Sequence, residues 1–387
     1  VRFYTDRLIM TPGPTEIPLR VKRAMMREST NPDLDPSFLE LYNKVRGKIK
    51  RLLKADRSSV YVIVGEAIMG LEAAIANTMR PGDKVIVVAN GVFGEGFADI
   101  VKAYGGEPVL IASEDWRRGV DLGEVERALE VNKDASLLTI VHCDTPSAIL
   151  NDIEGVARIA RSFGVITVVD AVSTVGGLPI EFDSWGLDVL IGGSQKVLNT
   201  PPGLTIMVLS DDVWERVERV GYRGFYMNLK AWRDMLDTKG VFPYTMSDTL
   251  IYALDEALNM IFEEGVEAVY ARHLKAREAS WRAIEALNLE PYPTSLNHSS
   301  PTVSAIIVPS GVNERKLRDH IWARYGVMIA GSWGKLEGKV IRVGHMGLQA
   351  SRTHLLTAYT ALAKSLKDMG FNVNVGEVVN AIEDVYS

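Results

Sequence analysis

Short apolar runs alternate along this chain with longer segments of helical period, and that alternation constrains the fold more than any other feature. YVIV (61–64), KVIVVA (84–89) and LLTIVH (137–142) read as strands, as do VITVVD (165–170), DVLIGG (188–193) and LTIMVL (204–209). Helical patterns intervene, for example IMGLEAAIANTM (68–79) and VARIARSF (156–163). Near-continuous apolar strands separated by helices form a mostly parallel sheet covered on both faces, an α/β fold. Sites in such sheets lie beyond the carboxyl ends of the strands. Gly65 and Glu66, Asn90 to Phe93, Asp170 and Lys196 all fall at those ends.

After about Ser247 the texture changes. A long helical pattern runs through LIYALDEALNMIFEEG and VEAVYARHLKAREASWRAIEALN, with Gly265 as an interruption. TVSAIIVP, RKLRDHIWARYG, VMIAG and KVIRVGHMG follow, and the last helix is expected at HLLTAYTALAKSLKDMG. These patterns divide the chain into an N-terminal arm (1–15), a large domain (16–260) and a smaller C-terminal α/β domain (261–387). The formal charge of -6 gives no support to wholesale binding of nucleic acid or an anionic membrane. One cysteine excludes an intramolecular disulfide and a zinc cluster built mainly from cysteines. The start, VRFYTDRLIMTPGP, lacks the pattern of a secretory signal, and no run approaches transmembrane length, so a cytoplasmic location is expected.

Two charged residues at strand ends carry the chemistry. Asp170 closes VITVVD, and Lys196 follows another strand in IGGSQKVLNTPPG. Each alone has an ordinary explanation, a cap or turn residue for Asp170 and a rim charge for Lys196. Taken with VVDAVST and GGSQK, their placement fits a carbonyl cofactor site, in which a lysine amine forms a Schiff base and an acid pairs with a pyridine nitrogen.

The ordered set TPGPTEIP, GLEAAIANTMRPGDKV, NGVFGEG, HCDTPSAILNDI, VVDAVSTVGG, GGSQKVLNTPPGL and KVIRVGHMG spans nearly the whole chain. In that order it resembles the fold-type I pyridoxal phosphate enzymes of aminotransferase class V, the alanine–glyoxylate and serine–pyruvate type. GEAIMGLEAA, HCDTPS, FPYT and EGVEAVYARH are similar to the pyridoxamine–pyruvate branch of that class. The resemblance implies a large cofactor-binding domain, a homodimer with shared active sites, and transfer of an amino group from a small-molecule donor to a 2-oxo acid. It implies Lys196 as the Schiff-base residue and proton carrier, and Asp170 as the partner of the ring nitrogen. Phe93 would stack on the ring, Val172 would pack on the opposite face, and Thr145 would contact the phenolic oxygen. Arg342 matches the arginine that grips the substrate carboxylate, a task suited to its fixed donor fork; an internal salt bridge is the alternative.

The resemblance leaves the vitamer open. Phosphate-binding members open a helix with small polar residues after the first strand; here the turn is Glu66, Ala67, Ile68. A carboxylate beside a phosphate is repelled, whereas Glu66 can accept a hydrogen bond from a 5'-hydroxyl. Unphosphorylated pyridoxamine and pyridoxal would then be substrates rather than a bound cofactor. Glu66 can also turn outward and cap the next helix. Ser194 and Gln195 match phosphate-side residues instead. Thr245 matches a phosphate ligand donated across a dimer interface, and Phe242 lies in the same FPYT motif. Trp333 stands where the pyridoxamine–pyruvate branch carries a second arginine for the oxo acid, which leaves Arg342 as the main carboxylate clamp. Cys143 and His142 have no neighbouring ligand cluster; core packing is expected for Cys143, which does not match the mobile-loop cysteine of a desulfurase.

Overall fold

The computed structural model describes residues 7–222 and 224–387; residues 1–6 of the expected arm lie outside the described residues. Seven strands build the main sheet: β1 (Ser59–Val64), β2 (Lys84–Ala89), β3 (Glu107–Ala112), β4 (Ala135–Val141), β5 (Ile166–Asp170), β6 (Val189–Gly193) and β7 (Leu204–Leu209). Their order is β1-β7-β6-β5-β4-β2-β3. Only β7 runs against the others. The sheet is thus mostly parallel, and its one reversed strand follows directly from the loop that carries Lys196. An antiparallel neighbour needs no crossover helix, so ten residues suffice to join β6 to β7.

β3 was not anticipated from the sequence. EPVLIA contains a proline and alternates between exposed and half-buried positions. It is an edge strand paired only with β2, a place where proline and exposure are tolerated. The inner strands are nearly all buried, and their Val, Ile and Leu side chains form one large core with the helices on either face.

A second core lies beyond the first. Its sheet contains β8 (Val303–Ile307), β9 (Ala330–Gly331) and β10 (Val340–Gly344) in the antiparallel order β8-β10-β9. The long helical pattern divides as expected: Gly265, at φ 94, separates helices Asp248–Glu264 and Val266–Ala286. Helix Arg352–Asp368 is not the last, which corrects the expectation above; Val375–Tyr386 follows it. Asn374 caps that final helix through its side-chain oxygen, and Val378 and Ile382 are its buried residues. Val375, Val378, Val379, Ile382 and Val385 recur at helical spacing, a signal that the sequence reading passed over. Packing against Val266–Ala286, remote in sequence, stabilises the helix.

The N-terminal segment threads between the two cores. Leu8–Ile9 pairs with Val327–Met328, and the Gly344 amide donates to Met10 O at 2.7 Å. The Thr15 amide then reaches Gln195 O at 3.2 Å, which brings the segment across the Lys196 loop. Among the described residues no helix is long and apolar enough to cross a membrane.

Candidate active site

The loop after β6 is a tight turn rather than a helix start. Two prolines, Pro201 and Pro202, cannot donate backbone hydrogen bonds. Thr200 instead bonds back to Ser194 O through its amide, at 3.1 Å, and its hydroxyl, at 2.8 Å. Lys196 projects from this turn toward the N-terminal segment, where its Nζ donates to Pro12 O at 2.7 Å. Gly13 makes that path available. It sits at φ +102, and a Cβ there would stand 2.6 Å from Lys196 Nζ. Burial, and then the nearby Arg342 charge, pull the Lys196 amine down from 10.5 to about 8.

Asp170 ends β5 at the same edge. One carboxylate oxygen accepts the Val172 amide at 2.9 Å. Among the described residues no cation forms an ion pair with it, and burial pushes its carboxyl up to about 7. An acid in this state has a free lone pair and a strong need for a positive partner.

A cavity of about 430 Å³ joins the two groups. Phe93, Val172 and Trp333 give it apolar walls, and Glu66, Ala67, Ile68 and Gln195 also line it. Glu66 is exposed, immediately precedes helix Ala67–Thr78 and, among the described residues, makes no side-chain cap bond. The Gln195 side-chain oxygen is buried and, among the described residues, has no hydrogen-bond partner. Sequence reasoning missed Gly13 and Pro14, which also line this cavity. The TPGPT motif was the signal available for them.

Asp144 was missed as well. Its carboxylate is buried and accepts the Phe93 amide at 2.9 Å, the Ser147 hydroxyl at 2.8 Å and the Ser147 amide at 3.2 Å. It thereby anchors the first turn of helix Val92–Ala103 and the ring of Phe93 with it. Thr145 is buried in the same turn and does not line the cavity.

Arg342 lies on β10 in an adjoining cleft of about 1090 Å³, shared with Gly13, Pro14 and Trp333. Its Nε donates to Gly331 O at 2.6 Å. Among the described residues no carboxylate pairs with it, so the internal salt bridge is absent and the Nη groups remain for a ligand. Burial lowers its pKa to about 10. The Trp333 ring bridges the two spaces. Its centroid is 5.2 Å from the Arg342 guanidinium carbon and 5.9 Å from the Phe93 ring, edge to face.

Three other candidates are held elsewhere in this chain. The Ser194 hydroxyl turns into its own loop and donates to Pro201 O at 2.7 Å. Phe242 packs edge-on to Tyr42, at 4.9 Å, and Phe38, at 5.8 Å, inside the first core. Thr245 is exposed and does not line the cavity. Cys143 packs in an apolar cluster while touching the cavity wall, and burial raises its thiol to about 12, which leaves it unreactive. His142 is buried beside the Thr174 hydroxyl at 2.9 Å and is held neutral, with its pKa pushed down to about 3.

A pyridine ring bearing a carbonyl fits this donor set. The amine and the acid line one largely apolar cavity, and among the described residues the acid has no ion-pair partner and the bordering Gln195 amide oxygen no hydrogen-bond partner. The aminotransferase class-V family profile matches residues 8–335. An uncharacterised aminotransferase of Methanocaldococcus jannaschii is 32% identical over 380 residues, covering 97% of this chain and 97% of that protein. The pyridoxamine–pyruvate transaminase of Mesorhizobium japonicum is 32% identical over 382 residues, covering 98% of this chain and 96% of that protein. The crystal structure of ureidoglycine–glyoxylate aminotransferase from Bacillus subtilis has a TM-score of 0.94 at 28% identity, covering 98% of each chain.

Proposed function

The chain belongs to the class V aminotransferases, enzymes that exchange an amino group between an amino acid and a 2-oxo acid, and from that premise we propose that it uses pyridoxal 5'-phosphate held at Lys196, a small amino acid as donor, and pyruvate or glyoxylate as acceptor. One observation carries this proposal: a lysine with a depressed amine pKa and a carboxylate with no ion-pair partner among the described residues share a single cavity. When bound, the pyridoxal group supplies the carbonyl that takes up nitrogen and a ring that accepts electrons.

The chain's own residues do the rest. Lys196 presents a partly neutral amine at neutral pH; once free, its Nζ carries the proton to and from the substrate α-carbon. Asp170 would hold a proton on the ring nitrogen. Phe93 and Val172, which line the cavity, would contact the ring and help exclude water from it. Arg342 directs its Nη groups to the substrate carboxylate, with the Trp333 ring lying against the guanidinium.

A second reading rests on Glu66. Its carboxylate borders the cavity beside the first amides of helix Ala67–Thr78, where a phosphate would otherwise bind. The acceptor oxygens of Glu66 and Gln195 suit a hydroxyl donor, which favours free pyridoxamine as amino donor and pyridoxal as product. Under either reading the working unit is a cytoplasmic homodimer, with residues 16–260 as the cofactor-binding domain, 261–387 as the smaller domain, and Thr245 delivered to the neighbouring subunit's site.

Borohydride reduction after equal exposure to pyridoxal and pyridoxal phosphate, followed by peptide mass measurement, tests both readings. A phosphorylated adduct on Lys196 sustains the first and sinks the second; a phosphate-free adduct does the opposite. An adduct on another lysine, or none, overturns both.

A further inference from the structure

Three residues beyond Lys196 lies a side chain whose four hydrogen bonds tie its own turn to two remote segments. Asn199 Nδ2 donates to Thr15 Oγ1 at 2.9 Å, to Met346 O at 3.2 Å and to Lys196 O at 3.4 Å. Its Oδ1 accepts the Leu348 amide at 2.6 Å, and its own amide returns to Lys196 O at 3.0 Å. Donors meet one end of the side-chain amide and acceptors the other, so its orientation is fixed. The residue is buried and sits at φ 50, a left-handed conformation that asparagine tolerates better than most residues.

Each tethered segment bears on the site. Thr15 ends the N-terminal strip that carries Pro12 and Gly13 past Lys196, and its hydroxyl also donates to Lys196 O at 2.9 Å. Met346 and Leu348 belong to the turn that leaves β10, the strand of Arg342. That turn is rigid. Gly347 N donates to His273 Nε2 at 2.9 Å, and a Cβ on Gly347 would strike Asn199 Oδ1. The buried His345 holds its start through Pro301 O, at 2.8 Å, and the Ser304 hydroxyl, at 2.9 Å.

We propose that Asn199 is a positioning residue that sets the separation between the Lys196 amine and the Arg342 guanidinium, by knotting the lysine turn, the N-terminal strip and the turn after β10 together. It touches no reacting atom. The inference rests on the roles given above to Lys196 and Arg342. Without the knot, each group keeps its own support, Lys196 in its turn and Arg342 on β10, but the two are no longer in register. A substrate held at both ends is the ligand that senses the difference.

The test compares two aminooxy reagents on the vitamer-loaded enzyme. Hydroxylamine and aminooxyacetate attack the same carbon with the same type of nitrogen, releasing Lys196 as its amine, but only aminooxyacetate carries a carboxylate for Arg342. Wild type should prefer aminooxyacetate, and Arg342→Leu should set the floor of that preference. Asn199→Gly, which accepts the left-handed turn, should lower the preference about 10-fold or more while the hydroxylamine rate stays within about 2-fold, since misplacement of this kind acts on doubly held ligands. Asn199→Asp keeps the acceptor for the Leu348 amide and loses the donated bonds; it should move the same way and serves if the glycine variant does not fold. A folded variant with a lower melting temperature and an unchanged preference overturns the proposal. A wild-type enzyme with no preference, or with no adduct on Lys196, instead overturns the underlying assignment of Lys196 and Arg342.

Discussion

The depressed pKa of Lys196 makes a measurable demand on the pH dependence of vitamer capture. Burial lowers the amine from 10.5 to about 8, with a smaller contribution from Arg342. At pH 7 roughly 10% of such an amine is neutral, against about 0.03% for an ordinary lysine, a ratio of about 300 in nucleophilic form. The assay is stopped-flow absorbance after pyridoxal phosphate is mixed with vitamer-free protein from pH 6 to 10. The observed rate should climb about tenfold per pH unit at first and level off near pH 8, as the neutral amine becomes the major form. Arg342→Leu removes a like charge, so its plateau should begin at higher pH. A wild-type rate that keeps climbing through pH 10 would refute the argument, because it would mean the amine is solvated as in a free chain.

Three further outcomes follow from the same geometry. Lys196→Met should stabilise the vitamer-free protein below pH 8 by about 3 kcal/mol in denaturant titrations, since the folded state there holds an ammonium it solvates poorly. The wild type should close that gap between pH 8 and 10.5, where the unfolded chain binds the extra proton. Gly13→Ala forces a left-handed conformation on alanine, a cost of about 1–2 kcal/mol, and drives a methyl group into the lysine. Borohydride trapping on Lys196 should therefore fall several-fold while the melting temperature changes little. Asp170→Asn should lower transamination by about 100-fold, the scale of losing one preorganised polar partner, with the Lys196 adduct still detected by mass.

Much of the fold was legible because inner strands of a parallel sheet are buried on both faces and show as unbroken apolar runs. LTIMVL became β7 with its bounds unchanged, and KVIVVA became β2. Edge strand β3 was not legible, because its burial is partial and its stability comes from a neighbour the local pattern does not contain. The last helix was legible in the period of VGEVVNAIEDVY and was overlooked.

The sequence by itself determined the two charged groups of the site. A strand end is a local event, so Asp170 and Lys196 were bound to reach the same sheet edge once the strands paired in parallel. Tertiary structure alone decided which distant side chains meet them. Trp333 lies against both Phe93 and Arg342, the 8–15 strip crosses the lysine, Asp144 anchors the Phe93 turn, and Asn199 ties Lys196 to the turn beyond Arg342. Phe242, from a motif that pointed to the site, was drawn into the core by Phe38 and Tyr42. Periodicity records which face of an element is buried. It carries no record of which element, a hundred or more residues away, does the burying, because that is settled by packing in three dimensions.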